Sequence, residues 1–167
     1  MHTIVCTLDQ LAAHPTQISG AFTDAVSASR IYREVLCLRC CHHCNILRLL
    51  SIIAPPSDLR DFHDVYVVTP ASECDLLQIL QGGHRFSRRR RRWITLQIIR
   101  GLAYLHAGGV CHGDLKPANV FIQDPVSALH VVVGDLGHVQ RLGGGAASTA
   151  AGTVAGDAAT LWYFNVI

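Results

Sequence analysis

Between Val110 and Ile122 the chain reads VCHGDLKPANVFI, a loop with an acid, a lysine and an amide that runs straight into an apolar segment. The 14 lysines and arginines include one lysine, Lys116, and it lies in this loop. Pro117 favours extended backbone in the residue before it, and alternate side chains of an extended segment face the same way, so Asp114 and Lys116 can converge. Asn119 follows where the chain enters a strand. Upstream, Ser87 is a plausible N-cap for a helix whose apolar positions Trp93, Leu96, Ile99, Leu102 and Leu105 share one face, and Gly108-Gly109 should stop it. Downstream come two strands, NVFI and LHVVVGD, joined through Asp124-Pro125. Asp135 ends the second, before Leu136-Gly137. Acid, lysine, amide and second acid can therefore surround one site.

The remaining chain supplies further elements. The first seventeen residues carry no strong period, and His14-Pro15 argues against a helix there. Apolar residues recur at helical spacing from Ser27 to about Cys41, at Ile31, Val35 and Leu38, with Glu34 on the same stretch. Pro55-Pro56 marks a turn, Asp64 to Val68 (DVYVV) is a buried-strand pattern, and Pro70 ends it. A short helix should begin at Asp75 (DLLQIL) and stop at Gly82-Gly83. The small-residue tract from Arg141 onward reads as a long mobile loop, and no internal repeat is present.

With 167 residues, 50% of them apolar, the chain suits one globular domain with its own core. The formal charge of +2 is too small to argue for nucleic acid, and it depends on the run Arg88 to Arg92. That run reads best as an exposed, solvated face, with nucleic-acid binding or a nuclear-address role as the rival. The N-terminus has no basic leader and no apolar stretch is long enough to span a bilayer, so a soluble, unsecreted protein of the cytoplasm or nucleus is expected. Of the seven cysteines, four crowd into CLRCCHHC, where neighbours make poor disulfide partners; reduced thiols are the simpler reading.

Two carboxylates, an amide and a lysine are what phosphoryl transfer needs: a group to hold the attacking hydroxyl, a cation for the moving phosphate, and oxygen ligands for Mg²⁺. HGDLKPAN followed by GDLG resembles the catalytic loop and metal-binding turn of eukaryotic protein kinases. YREVLCLRCCHHCNILRLL, DVYVVTPASECDLLQIL and QIIRGLAYLH resemble the regulatory helix, hinge and following helices of the mitogen-activated branch. The resemblance implies an α+β, protein-kinase-like partial two-lobe fold. Residues 18–69 would form an N-lobe remnant, 70–75 the hinge, and 76–167 the start of the helical C-lobe with catalytic loop and activation segment. It makes Asp114 the acceptor of the substrate hydroxyl proton, Lys116 the cation near the transferred phosphate, and Asn119 and Asp135 the Mg²⁺ ligands. Thr69 falls at the gatekeeper position; Pro70, Ala71, Ser72 and Asp75 would bind the nucleotide, and Glu34 matches the regulatory-helix acid. His112 would pack beneath the site and bond to backbone. ATP and Mg²⁺ are the implied cofactors, a protein substrate or signalling partner the implied partner, with neither membrane nor nucleic acid expected.

The chain departs from that pattern in several places. The strand lysine that should pair with Glu34 would fall near Thr16, and no lysine or arginine precedes Arg30. No glycine-rich loop can be placed before it, since Gly20 is the first glycine. The arginine of the HRD motif is Gly113, and the activation-loop phosphorylation positions align with Ala155 and Asp157, while Thr160 and Tyr163 match residues of the substrate shelf. These losses imply weak or absent turnover, with activation by phosphorylation abandoned. A partner-binding pseudokinase or scaffold is the alternative, and a zinc module built on Cys37, Cys40, Cys41, Cys44, His42 and His43 is a second.

Overall fold

The structure is a computed structural model that describes residues 13–53, 63–124 and 129–142. Its first sheet has the order β1-β3-β2, all antiparallel, from β1 (Ala13–Ile18), β2 (Ser51–Ile53) and β3 (Val65–Pro70). β1 occupies the segment for which the sequence only argued against a helix. It pairs along its whole length with β3, placing Ala13 opposite Pro70 and Thr16 opposite Val67. Asp64, expected as the first strand residue, instead ties the strand entrance together. Its carboxylate accepts from the Gln17 side chain at 2.8 Å and from the Gly20 amide at 3.1 Å.

Helix α1 (Ala25–Cys40) starts two residues before Ser27, because Asp24 caps it by accepting from the amides of Val26 and Ser27. β4 (Cys74–Asp75) leads into α2 (Leu76–Gln81), where Asp75 and Gln78 form a reciprocal capping box. Helix α3 (Arg88–Ala107) is capped by Ser87 and ends at Gly108, as the sequence indicated. Two further antiparallel sheets follow: β4-β6-β7, with β6 (Val120–Asp124) and β7 (His130–Val133), and β5-β8, with β5 (Val110–Cys111) and β8 (Gln140–Arg141). The activation-segment positions Ala155, Asp157, Thr160 and Tyr163, the small-residue tract after residue 142 and the Pro55-Pro56 turn lie outside the described residues.

The residues that α3 buries share only Leu105 with the expected face. Trp93, Leu96 and Ile99 stay 43%, 44% and 55% exposed, whereas Ile94, Gln97, Gly101 and Leu105 are buried. The reason is geometric. With 3.6 residues per turn, repeated steps of three drift around the helix, while steps of three then four keep one line. The true stripe holds a glutamine and a glycine, so hydrophobic spacing could not reveal it. Gln97 donates to the Leu129 carbonyl at 2.9 Å and accepts from the Val131 amide at 3.0 Å and from Asn45 at 3.2 Å. Gly101 leaves room for the Asn45 carbonyl.

The larger core joins α1 (Cys37, Leu38), its C-cap Cys41, the turn at Ile46, β3 (Val65, Val67), α3 (Leu105), β7 (Val132, Val133) and Leu136. Each fully buried leucine contributes about 1.5–3 kcal/mol. A second, smaller cluster of Ile94, Val120, Ile122, Leu129 and Val131 seats α3 on the β6-β7 pair. Both ends of the loop between β5 and β6 are thereby held on packed elements, which is what positions the site.

Candidate active site

Past β5 the chain turns at Gly113, where φ is +81°, and a Cβ there would run into the His138 carbonyl oxygen. Lys116 is extended at φ −150° and ψ 163°, the conformation its proline neighbour favours, and residues Pro117–Asn119 form one 3-10 turn. The expected convergence follows: Lys116 Nζ donates to Asp114 Oδ2 at 2.6 Å. Asn119, buried in the loop's base, donates from Nδ2 to the Asp114 carbonyl at 2.9 Å and to Asp114 Oδ2 at 3.3 Å. One oxygen of Asp114 thus takes both the lysine and the amide.

His112 sets the height of this loop. The Asp114 amide donates to its Nδ1 at 3.3 Å, so the ring proton lies on Nε2, which donates to the Gly134 carbonyl at 2.9 Å. The Gly134 amide in turn donates to the Asn119 carbonyl at 3.0 Å. Buried His112 is therefore the backbone bridge that the sequence implied, and it brings Asp135, the next residue after Gly134, to the same place. Asp135 holds a left-handed backbone, φ 56°, a strained state that aspartate tolerates better than most residues.

The charges are coupled. The hydrogen bond from Lys116 holds the Asp114 carboxyl below the usual carboxylate range, and the same bond, with the charges of Asp114 and Asp135 behind it, raises the lysine. The Asp114 carboxylate and the Lys116 ammonium are both charged at neutral pH. Glu34 goes the other way: burial first, and then the charge of Asp135, push its carboxyl up, with Arg30 opposing. Thr16 sits on β1 where the strand lysine was expected, so no lysine offsets the charge of Asp135 on Glu34.

Thr69 and Pro70 close β3, and Ala71 and Ser72 follow, all half-buried. Asp75 spends Oδ1 on the Gln78 amide at 2.7 Å. The sequence reading missed α1's grip on the turn after Asp135: Arg33 Nη1 donates to the Gly137 carbonyl at 3.0 Å. An arginine one residue before Glu34 was the available signal.

The zinc arrangement does not form. Among the described residues no three histidine, cysteine or acidic side chains lie where they could share a metal ion. Cys37 and Cys41 are core residues whose thiols burial pushes up to about 11 and about 12, the opposite of what a thiolate ligand needs. His43 stacks on Tyr104 at 5.0 Å and accepts from the Asn45 amide at 3.1 Å.

The loop of Asp114, Lys116 and Asn119 is braced under the Gly134-Asp135 turn, on which helix α1 docks. The chain belongs to the protein kinase domain family, which matches residues 17–163. Its likeness within that family is to the mitogen-activated branch. It is 39% identical over 108 residues to mitogen-activated protein kinase 13 of Mus musculus, and to that of Bos taurus. To the Homo sapiens protein of the same name it is 38% identical over 108 residues. The matched stretch is 65% of this chain and 29% of each relative, so the chain spans less than a third of the proteins it matches.

Proposed function

We propose that this site binds Mg²⁺-ATP and transfers its γ-phosphoryl group to a serine or threonine hydroxyl of a protein substrate, slowly. The observation that carries this reading is the hydrogen-bonded set of Asp114, Lys116 and Asn119. Asp114 accepts the proton of the attacking hydroxyl, whose oxygen bonds to the γ-phosphorus as the bond to the bridging oxygen breaks and ADP leaves. Lys116 lies beside that carboxylate, where a cation meets the charge of the moving phosphoryl group.

A hard divalent cation takes oxygen ligands, and the donor set fits it: the Asp135 carboxylate, and Asn119, whose amide nitrogen carries the bonds to Asp114 and whose carbonyl oxygen is the ligand type required. Asn119 and Asp135 would hold Mg²⁺ there, and its charge would neutralise the phosphates. Thr69, Pro70, Ala71, Ser72 and Asp75 form the adenine and ribose side, and Glu34 keeps the regulatory-helix position without its lysine. Residues 18–69, 70–75 and 76–167 serve as N-lobe portion, hinge and C-lobe portion in this reading, and the protein works in the cytoplasm or nucleus on protein partners.

Turnover is slow because one preorganised electrostatic contact is commonly worth on the order of 10²–10³ in rate, and the strand lysine is one such contact. That same absence favours a second reading, a pseudokinase that binds partners through this domain. Transfer of labelled γ-phosphate from Mg²⁺-ATP to serine- and threonine-containing peptides separates the two. Transfer that Asp114→Asn lowers by at least about 10²-fold is expected. Equal label in wild type and variant would sink the catalytic reading and leave the pseudokinase.

A further inference from the structure

We propose that Arg30 is the second cation of the nucleotide site, gripping the terminal phosphates of a nucleoside triphosphate from the α1 side in place of the lysine that β1 lacks. The inference rests on the reading that a nucleotide binds here. Arg30 is the first lysine or arginine of the chain and lies four residues before Glu34, one helical turn away on the same side of α1.

Its stem is seated on the metal-binding turn itself. A Cβ on Gly137 would stand 2.7 Å from Arg30 Cγ and 3.3 Å from Cδ, so this glycine makes room for the arginine's aliphatic chain. Arg33 fixes the same contact by its bond to the Gly137 carbonyl. The chain of Arg30 therefore runs over the turn that begins with Asp135.

Its charge is felt on both sides of that turn, lowering the proton affinity of Glu34 and opposing the charge on Lys116. The stem contact with Gly137 and these charge effects put the guanidinium within electrostatic reach of both side chains. Arg30 is exposed, and among the described residues it forms no ion pair, since the one found there joins Lys116 to Asp114. A planar guanidinium held by its stem, with its fork uncommitted, suits two phosphate oxygens at once. Lys116 from the loop and Arg30 from the helix then supply two cations to a phosphate chain, beside the carboxylates of Glu34 and Asp135.

Calorimetric titration of the full chain with Mg²⁺-ATP and, separately, with adenosine tests this in wild type, Arg30→Gln and Arg30→Lys. Arg30→Gln should weaken ATP by about ten- to a hundredfold, the range for hydrogen bonds to a charged group, and leave adenosine unchanged. Arg30→Lys, which keeps stem and charge, should recover part of the loss. Equal ATP affinity in wild type and Arg30→Gln overturns the assignment, and so does an equal loss of ATP and adenosine, which would mark a structural role. Wild type that binds neither ligand would overturn the nucleotide reading itself, a result distinct from either.

Discussion

Gly113 occupies the position where the family's pattern has an arginine, and the structure shows why the change is not a simple loss. Its backbone is left-handed and pressed against the His138 carbonyl, so an arginine could enter only by moving the catalytic loop. Gly113→Arg should lower stability by about 1–3 kcal/mol from backbone strain alone, read as a melting midpoint about 2–4 °C lower for each kcal/mol. It should add no phosphoryl transfer; a stable and more active variant would show that the loop tolerates the original residue. Glu34 gives a second prediction through pH. Its folded pKa is raised, so its contribution to stability is complete below the ordinary glutamate pKa and is lost as pH rises through the folded value. Glu34→Gln should therefore melt higher than wild type at neutral pH, with the gap closing below about pH 4. A gap independent of pH would mean that the carboxyl is not strained by its neighbours. At this scale the sequence was highly legible: Asp114, Lys116 and Asn119 meet as extended geometry before a proline requires. The raised Glu34 was not, because nothing in the chain order shows that burial and Asp135 act on it together.

Legibility fell at the level of elements where polar residues do the packing. The caps at Ser87 and Asp75 were readable because capping chemistry is local. The buried stripe of α3 was not, because Gln97 is polar and yet is the residue that holds the helix to β7 and to the Asn45 turn. A buried glutamine with three partners is worth more for what it satisfies than for its own bonds. Gln97→Leu fills much the same volume but strands the Leu129 carbonyl and the Val131 amide. A loss of about 1–3 kcal/mol per stranded group is expected. Chemical denaturation would show it as a lower midpoint with an unchanged slope. A variant as stable as wild type would mean that β7 is held to α3 by apolar contact alone. The short strands β2, β4, β5 and β8 escaped the sequence reading for a different reason. Two or three residues carry too little period to announce a strand, and only the partner strand defines them.

Taken whole, the molecule has helix α1, its first sheet and the Asp135 turn in one continuous core. Leu38 of α1, Val67 of β3, Leu105 of α3 and Leu136 beside Asp135 all belong to the same buried cluster, and a parallel bridge joins Ile46 to Val133. The docking of α1 on the Asp135 turn is therefore part of the structure's cohesion as well as of its site. Separate unfolding of the two halves would have to open that cluster, exposing fully buried leucines at about 1.5–3 kcal/mol each. The described residues should melt as one cooperative unit, with far-ultraviolet circular dichroism and hydrogen exchange of α1 amides and β7 amides reporting the same midpoint. If α1 amides exchange at a lower denaturant concentration than those of β7, the helix is an independent unit that moves relative to the loop. In that event Arg30 and Glu34 would reach the site only part of the time, and nucleotide affinity would track the docking equilibrium of α1 rather than the chemistry of the loop.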